Sequence, residues 1–244
     1  MSLLEKYLWK ILRKSDSSYH SLKTSFSQQG EDLIIDFIFT WMLDCTKPSY
    51  LDIGANHPSY LNNTYLFYKK GCTGINIEPD PTLFNFIKKK RKKDVNIQIG
   101  VAEKKNILDF YIMETSTLNT FSKEVAIEYS QSERFGKPQI KEVRKINVLP
   151  INDILEKYFI LNNNYFISID VEGLDFEILS SINFKKYRPA VICIETDSLI
   201  QGINLNRYNT LMEKYDYIKY ADNSINSIYI DKLRLNKFYE RNSS

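Results

Sequence analysis

Apolar and polar positions alternate along the 244-residue chain in strand-length runs separated by helix-length ones. Tyr50, Leu51 and Ile53 make an apolar run that stops at Gly54, and Ile75 and Ile77 make the next, closed by Glu78. The stretch Tyr50–Glu78 therefore reads as strand, tight turn, helix and a second strand ending in an acid, the pattern of a nucleotide-binding βαβ unit. Before it, LIIDFIFTWML (Leu33–Leu43) is too apolar for a surface strand and suits a mostly buried helix. After it come a helix over Pro81–Lys93 with Leu83, Phe84 and Ile87 inward, a third strand over Val95–Val101, and a possible hairpin partner over Ile107–Met113. Ile146–Leu149 reads as a short strand closed by Pro150, and Ile151–Tyr158 as a helix. Tyr165–Asp170 and Ala190–Glu195 are apolar strands that each end in an acid, with a helix over Leu174–Ile182 between them. A helix over Asn206–Lys214 precedes strands at Tyr217–Tyr220 and Ser227–Ile230. Without a helix between them, these two form an antiparallel hairpin at the end of the sheet. Strands alternating with helices imply an α/β fold around a mostly parallel sheet.

Three segments stand outside this rhythm. MSLLEKYLWKILRK (Met1–Lys14) puts Leu3, Leu4, Tyr7, Leu8, Ile11 and Leu12 on one helical face with Lys6, Lys10, Arg13 and Lys14 around it. Residues 1–24 are read as an amphipathic helical extension, resting on its own domain, on a partner or peripherally on an anionic membrane. Residues 25–244 read as one domain with no repeat or linker. Thr115–Lys145 changes character, with Gly136 and Pro138 beyond a charged stretch, and reads as a lid or substrate-binding insertion. Lys88–Lys93 is an unbroken basic run at a helix end, which the macrodipole favours. It reads first as a solvated face and second as a phosphate contact.

Composition adds limits. A net charge of +3 does not point to nucleic acid. Three scattered cysteines, Cys45, Cys72 and Cys193, form no C-x-x-C pair, and Cys193 sits in an apolar strand as a buried thiol; this favours a cytoplasmic setting. No run approaches the ~18 apolar residues of a membrane span.

The chemistry collects at strand ends. A parallel sheet gathers its carboxyl ends on one rim, so Asp52, Glu78, Asp170 and Glu195 are placed around a single cleft. Glu78 lies 24 positions beyond Gly54, the place of a carboxylate that accepts hydrogen bonds from two ribose hydroxyls. The dinucleotide fingerprint needs three glycines, whereas the turn here, Asp52-Ile53-Gly54-Ala55-Asn56-His57, has one with an acid before it. That acid repels a pyrophosphate and suits the cationic end of S-adenosylmethionine. An NAD-dependent sugar-nucleotide dehydrogenase or epimerase, and a non-catalytic adenosine-binding protein, are the alternative readings.

SQQGED (Ser27–Asp32), YLDIGANHPSYLNNTYLFYKKGCTGINIEPDP (Tyr50–Pro81) and IDVEGLDFEIL (Ile169–Leu179) resemble the FkbM family of S-adenosylmethionine-dependent methyltransferases, in consistent order over roughly residues 25–200. The resemblance implies a class I, Rossmann-like methyltransferase fold: seven strands, mostly parallel, the last antiparallel, with helices on both faces. It implies O-methylation of a small molecule, such as a hydroxyl of a sugar, sugar nucleotide or glycan precursor in polysaccharide biosynthesis. By position it assigns Asp52, Gly54, Ala55 and Asn56 to the first cofactor-binding motif, although the commoner class I pattern has a glycine where Asn56 stands. Glu78 matches the ribose-holding acid, with Pro79 beside it. Gly100, Val101 and Ala102, with Thr117 and Leu118, fall near the adenine. Ser27, Gln28, Gly30 and Glu31 match an N-terminal block expected to close over the methionine end or the acceptor.

Methyl transfer to an alcohol needs alignment of the oxygen and removal of its proton. Asp170, at a strand end beside the cofactor, is the first candidate base, followed by His57 and Glu172. The plain alternatives are that His57 fixes a helix start beside Pro58 and that Glu172 bonds the loop before Gly173. Asp170 and Glu195, with Asp197, are also hard oxygen donors that suit Mg²⁺ or Mn²⁺. The acceptor is expected between the insertion and the Thr196–Arg207 loop, its phosphate on Lys or Arg and its ring on one of the 17 tyrosines.

Overall fold

The computed structural model describes residues 23–158, 164–196 and 205–242. The N-terminal extension (all but Lys23 and Thr24), Asp197 and most of the loop to Arg207 lie outside these residues.

A seven-stranded sheet forms the centre, in the order β3–β2–β1–β7–β8–β10–β9. Its strands are β1 Ser49–Ile53, β2 Gly74–Ile77, β3 Val95–Ile97, β7 Tyr165–Ile169, β8 Val191–Glu195, β9 Tyr217–Asp222 and β10 Asn226–Asp231. Pairing is parallel from β3 through β8, and β10 runs against both of its neighbours, β8 and β9. This is the class I methyltransferase architecture with its antiparallel last strand. Strand order reverses between β1 and β7, so the crevice beyond their carboxyl ends is where an open α/β sheet binds its ligand.

Alternation along the strands fills two cores. Leu51, Ile53, Ile167, Ile169, Ile192 and Ile194 face one layer. That layer consists of α5 (Ile151–Tyr158), α6 (Asp175–Ser181) and α7 (Leu205–Lys214). Tyr50, Phe166, Val191, Cys193, Ile228 and Ile230 face the other. There α1 (Glu31–Phe37), α2 (Tyr65–Lys69) and α8 (Lys232–Asn242) cover them. Helix α8, in the last stretch of the chain, has no counterpart in the sequence reading. Each fully buried aliphatic side chain contributes roughly 1.5–3 kcal/mol, and most strand residues are buried on both faces.

The structure amends four local expectations. The helix expected over Leu33–Leu43 is α-helical only to Phe37 and then π-helical over Ile38–Met42. There the Thr40 hydroxyl donates to Asp36 O at 2.6 Å, taking the acceptor of the α-helical N–H bond and widening the turn. Val95–Val101 is not one strand. It breaks at Gln98 and Ile99, because β4 (Gly100–Val101) leaves the main sheet to pair with β6 (Ile140–Leu149), which also pairs with β5 (Asn106–Met113). Strand β6 absorbs the end of the expected insertion, leaving a 3₁₀ turn at Ser116–Leu118, α4 (Lys123–Gln131) and a second 3₁₀ turn at Glu133–Phe135 between β5 and β6.

The fourth concerns the basic run. Helix α3 (Pro81–Lys90) ends inside it, and Arg91 is 0% exposed. Its Nε donates to Asp94 at 2.8 Å and its Nη2 to Tyr50 and Thr64 at 2.9 and 3.0 Å. Lys88, Lys89, Lys90, Lys92 and Lys93 are exposed, as a solvated face requires, but Arg91 is a core residue.

Candidate active site

The cavity of about 230 Å³ at the carboxyl rim is lined from several chain segments. Ile53 ends β1 and Gly54 and Asn56 follow it, Glu78 and Pro79 follow β2, Gly100 and Val101 form β4, and Asp170, Val171 and Glu172 follow β7. Glu195 closes it from β8, Gln28 from the N-terminal block, and Thr117, Leu118, Arg134 and Phe135 from the insertion.

Glu78 is buried, and each carboxylate oxygen accepts one backbone N–H, from Asn56 and from Asp80, both at 2.8 Å. Burial pushes its carboxyl up to about 8, with the charges of Asp80 and Asp52 adding to the shift and the two N–H donors opposing it. Asn56 takes φ 50° in that turn. Its side-chain amide also donates to Ser116 O at 2.9 Å, tying the insertion to the turn after β1. Asp80 caps α3 by accepting from Thr82 and Leu83 N at 2.7 and 3.1 Å, ahead of Pro81 at the first helical position. Gly54 sits at φ 81°, where only glycine is unstrained.

Asp170 follows β7 with its backbone N–H on Ile53 O at 3.0 Å. Burial raises its carboxyl above the usual range, and the charges of Asp175, Asp52 and Glu31 raise it further. Asp175 accepts the N–H groups of Val171 and Gly173 at 3.0 Å, which shapes the loop between them. Glu172, at φ 55°, accepts the Tyr129 phenol on its carboxylate, and its carbonyl accepts the Thr120 hydroxyl at 2.6 Å. Asp170, Glu172 and Glu195 each bring one carboxylate oxygen to within 4.8 Å of the others, a set able to hold a metal ion.

Other expected site residues lie elsewhere. Asp52 does not line the cavity. Strand alternation turns its carboxylate away from Ile53, and it accepts from Asn62 Nδ2 at 3.0 Å and Thr64 Oγ1 at 2.7 Å, next to Arg91. It stabilises the long turn after β1, where the sequence reading put it against the cofactor's cationic end. His57 is likewise outside the cavity, and its Nδ1 accepts from Ser59 and Tyr60 N at 3.2 and 3.0 Å. It fixes the loop around Pro58, the plainer of its two readings. Ala55 and Ala102 flank the lining without joining it.

The N-terminal block divides similarly. Gln28 reaches the cavity; Ser27 donates to Asp32 Oδ1 at 3.0 Å, and Gly30, at φ 89°, starts α1. Glu31 is fully buried, and its Oε1 accepts from Asn223 and Asn226 Nδ2, both at 2.7 Å. Burial would raise its carboxyl, but the hydrogen bonds from Gln29 N and from the Asn223 amide hold it low. Glu31 thus clamps the block onto the β9–β10 turn across the rim. Arg134, Phe135 and Ile225 escaped the sequence reading, because long-range packing alone brings them to this wall.

The family model described as the methyltransferase FkbM domain matches residues 52–219. The chain belongs to the FkbM methyltransferase family. Among solved structures, this FkbM protein is similar to a precorrin-6y C5,15-methyltransferase from Geobacter metallireducens GS-15, with 11% identity over 86% of this chain and 92% of that one, at a TM-score of 0.41. It is also similar to a TehB-like SAM-dependent methyltransferase from Corynebacterium glutamicum ATCC 13032 Kitasato, with 10% identity over 93% of this chain and 100% of that one, at a TM-score of 0.42. No curated protein sequence matches it.

An S-adenosylmethionine-dependent methyltransferase needs an adenosine site, and the cavity residues fit one. The fixed Glu78 carboxylate faces a space bounded by Ile77, Pro79, Val101 and Leu118, apolar enough for a purine. An added β-carbon at Gly100 would lie 2.3 Å from Phe121, so the glycine lets that ring close the same wall.

Proposed function

We propose that the protein is an O-methyltransferase acting on a hydroxyl of a sugar, sugar nucleotide or glycan precursor. The observation that carries this is Asp170: a carboxylate with raised proton affinity, at the switch point of the sheet, in one cavity with the ribose-type acid Glu78. S-adenosylmethionine supplies a methyl group on a sulfonium, an electrophile strong enough that the protein's work is mainly alignment. Glu78 accepts hydrogen bonds from the ribose hydroxyls, and Gly54 lets the backbone approach. Asp170 takes the acceptor's proton as attack proceeds, its raised affinity suiting a general base near neutral pH. Glu172 and Glu195 accept from neighbouring hydroxyls, which favours a polyol over an anion at this wall. A phosphate on the acceptor belongs instead beside Arg134, with a ring against Phe135.

Incubation with S-adenosylmethionine and a panel of sugars and sugar nucleotides, read by mass spectrometry for one added CH₂, tests this. Methyl transfer to nitrogen or carbon, with none to oxygen, overturns it.

The grouping of Asp170, Glu172 and Glu195 supports a second reading, in which the three hold Mg²⁺ or Mn²⁺. The cation would lower the acceptor hydroxyl's pKa and orient it. Turnover that survives a chelator unchanged removes this reading and leaves the first intact.

A further inference from the structure

The end of the sheet opposite the candidate site carries a second cleft. Tyr165, the first residue of β7, lines this cleft, and Asp170, just past its end, lines the other. Five residues of strand put the two roughly 17 Å apart. Five cations line the second cleft: Lys186, Arg188, Arg234, Lys237 and Arg241. Asp231 and Glu240 are the acids in its lining, and Glu156 beside Lys186 is a third, so the cations still exceed the acids by two.

Three of the cations are committed to the fold, among them Arg234, which lies 3.4 Å from Asp231 and donates to Asn164 Oδ1 at 3.3 Å. Arg188 grips Asp231 at 2.8 and 3.0 Å, and Lys186 pairs with Glu156. Lys237 and Arg241 form no ion pair among the described residues, and Arg241 reaches only the carbonyls of Lys237 and Met42, both at 3.3 Å. Met42 ends the π-helical turn, and its neighbour Trp41 is 71% exposed and stacked on Phe37, with ring centroids 6.4 Å apart. On α8 itself, Leu233 and Tyr239 are more than half exposed. Basic cleft and exposed aromatics thus form one continuous surface.

A solvated face explains the charges and leaves the tryptophan in water. A protein-binding core explains the aromatics and is depleted of lysine. An anionic bilayer accepts both, with Lys and Arg at the headgroup phosphates and Trp and Tyr at the boundary with the acyl chains. No described helix is long and apolar enough to cross a membrane, so the contact is peripheral. We propose that this end of the molecule docks on an anionic lipid surface through Phe37, Trp41, Lys237 and Arg241, holding the candidate active site on the far side toward the aqueous phase.

Trp9 and Trp41 are the only tryptophans, so Trp9→Phe in the full chain makes Trp41 the sole reporter. With vesicles of phosphatidylcholine and 30% (~) phosphatidylglycerol, a proportion chosen to give a strong negative surface potential, Trp41 emission should shift to the blue and be quenched by brominated acyl chains. Pure phosphatidylcholine should do neither. Lys237→Glu should weaken vesicle binding about tenfold and Trp41→Ser at least threefold, with circular dichroism unchanged, as each charge or aromatic anchor near the surface contributes separately. Three results overturn the proposal: Trp41 emission indifferent to vesicles, binding unaffected by both substitutions because another part of the chain carries it, or complete displacement by millimolar inorganic phosphate, which would mark a site for soluble phosphate.

Discussion

Gly54 and Asp170 touch backbone to backbone: a β-carbon built on Gly54 would lie 1.7 Å from the Asp170 carbonyl oxygen. The turn after β1 and the loop after β7 are therefore one packed unit. Gly54→Ala meets that carbonyl and also forces a side chain onto φ 81°. Overpacking at 1–3 kcal/mol and left-handed backbone at 1–2 kcal/mol together cost about 3 kcal/mol. Thermal melting should fall by roughly 6–12 °C, and S-adenosylhomocysteine binding should be lost by calorimetry. A variant that melts and binds like the parent would mean the turn relaxes freely.

Binding and chemistry should separate between the two acids of the cavity. Glu78→Ala removes the acceptor fixed by Asn56 and Asp80 and should abolish calorimetric binding of S-adenosylhomocysteine. Asp170→Asn keeps shape and hydrogen-bonding capacity while removing the base. Its binding should stay within about threefold while turnover drops at least a hundredfold, the usual range for a general base. Equal loss of binding in both variants would refute the division of roles.

Glu78 also sets a pH dependence. Its carboxyl lies at about 8 in the fold against an ordinary 4.5, so between those values the cofactor-free native chain holds a proton that the unfolded chain has released. Stability contributed by this group is therefore present below pH 4.5 and is lost as pH rises toward 8. Asp170, raised by burial, acts in the same direction. Glu78→Gln cannot ionise but gives up one of the two backbone hydrogen bonds. Scanning calorimetry from pH 5 to 8 should show the variant's melting temperature gaining steadily on the parent's. A constant difference would place Glu78 at an ordinary value.

Within the basic run, position 91 should behave unlike its neighbours. Arg91→Ala strands Asp94 and removes the donors to Tyr50, Thr64 and Asn62, and breaking a buried pair from one side costs about 3–5 kcal/mol. Lys89→Ala, on the exposed face, should change stability by less than about 0.5 kcal/mol. Urea unfolding of both variants makes the comparison.

The contrast shows what could be read from sequence. Apolar strands closed by acids at Glu78, Asp170 and Glu195 are visible because strand burial and rim position are periodic properties. Arg91 is invisible in the same terms, since it stands within a basic run and its burial is made tolerable by Asp94 together with a distant tyrosine, asparagine and threonine. Asp52 is the reverse case: its strand was legible, and alternation puts its carboxylate on the face away from Ile53, but the partners that hold it there, Asn62 and Thr64, are folded back from the long turn and leave no local pattern. The cavity wall at Arg134 and Phe135 depends on β6 pairing with both β4 and β5, a register no local pattern records.

The insertion should act through Glu172. Tyr129 from α4 donates to its carboxylate and Thr120 to its carbonyl, so one residue of the cavity carries two bonds from the insertion. Burial, and then the charges of Glu172, Glu195 and Asp170, push the Tyr129 phenol far up, so it remains a donor across the working pH range. Tyr129→Phe deletes only the donor, and a hydrogen bond to a charged group is worth about 1.5–3 kcal/mol. A double-mutant cycle of Tyr129→Phe with Glu172→Gln should return a coupling of that size in urea unfolding, while S-adenosylhomocysteine affinity stays within about twofold because neither group belongs to the adenosine side. Additive effects would show that the insertion is held by its own small core of Met113, Leu118, Val125 and Ala126 and is not latched through Glu172.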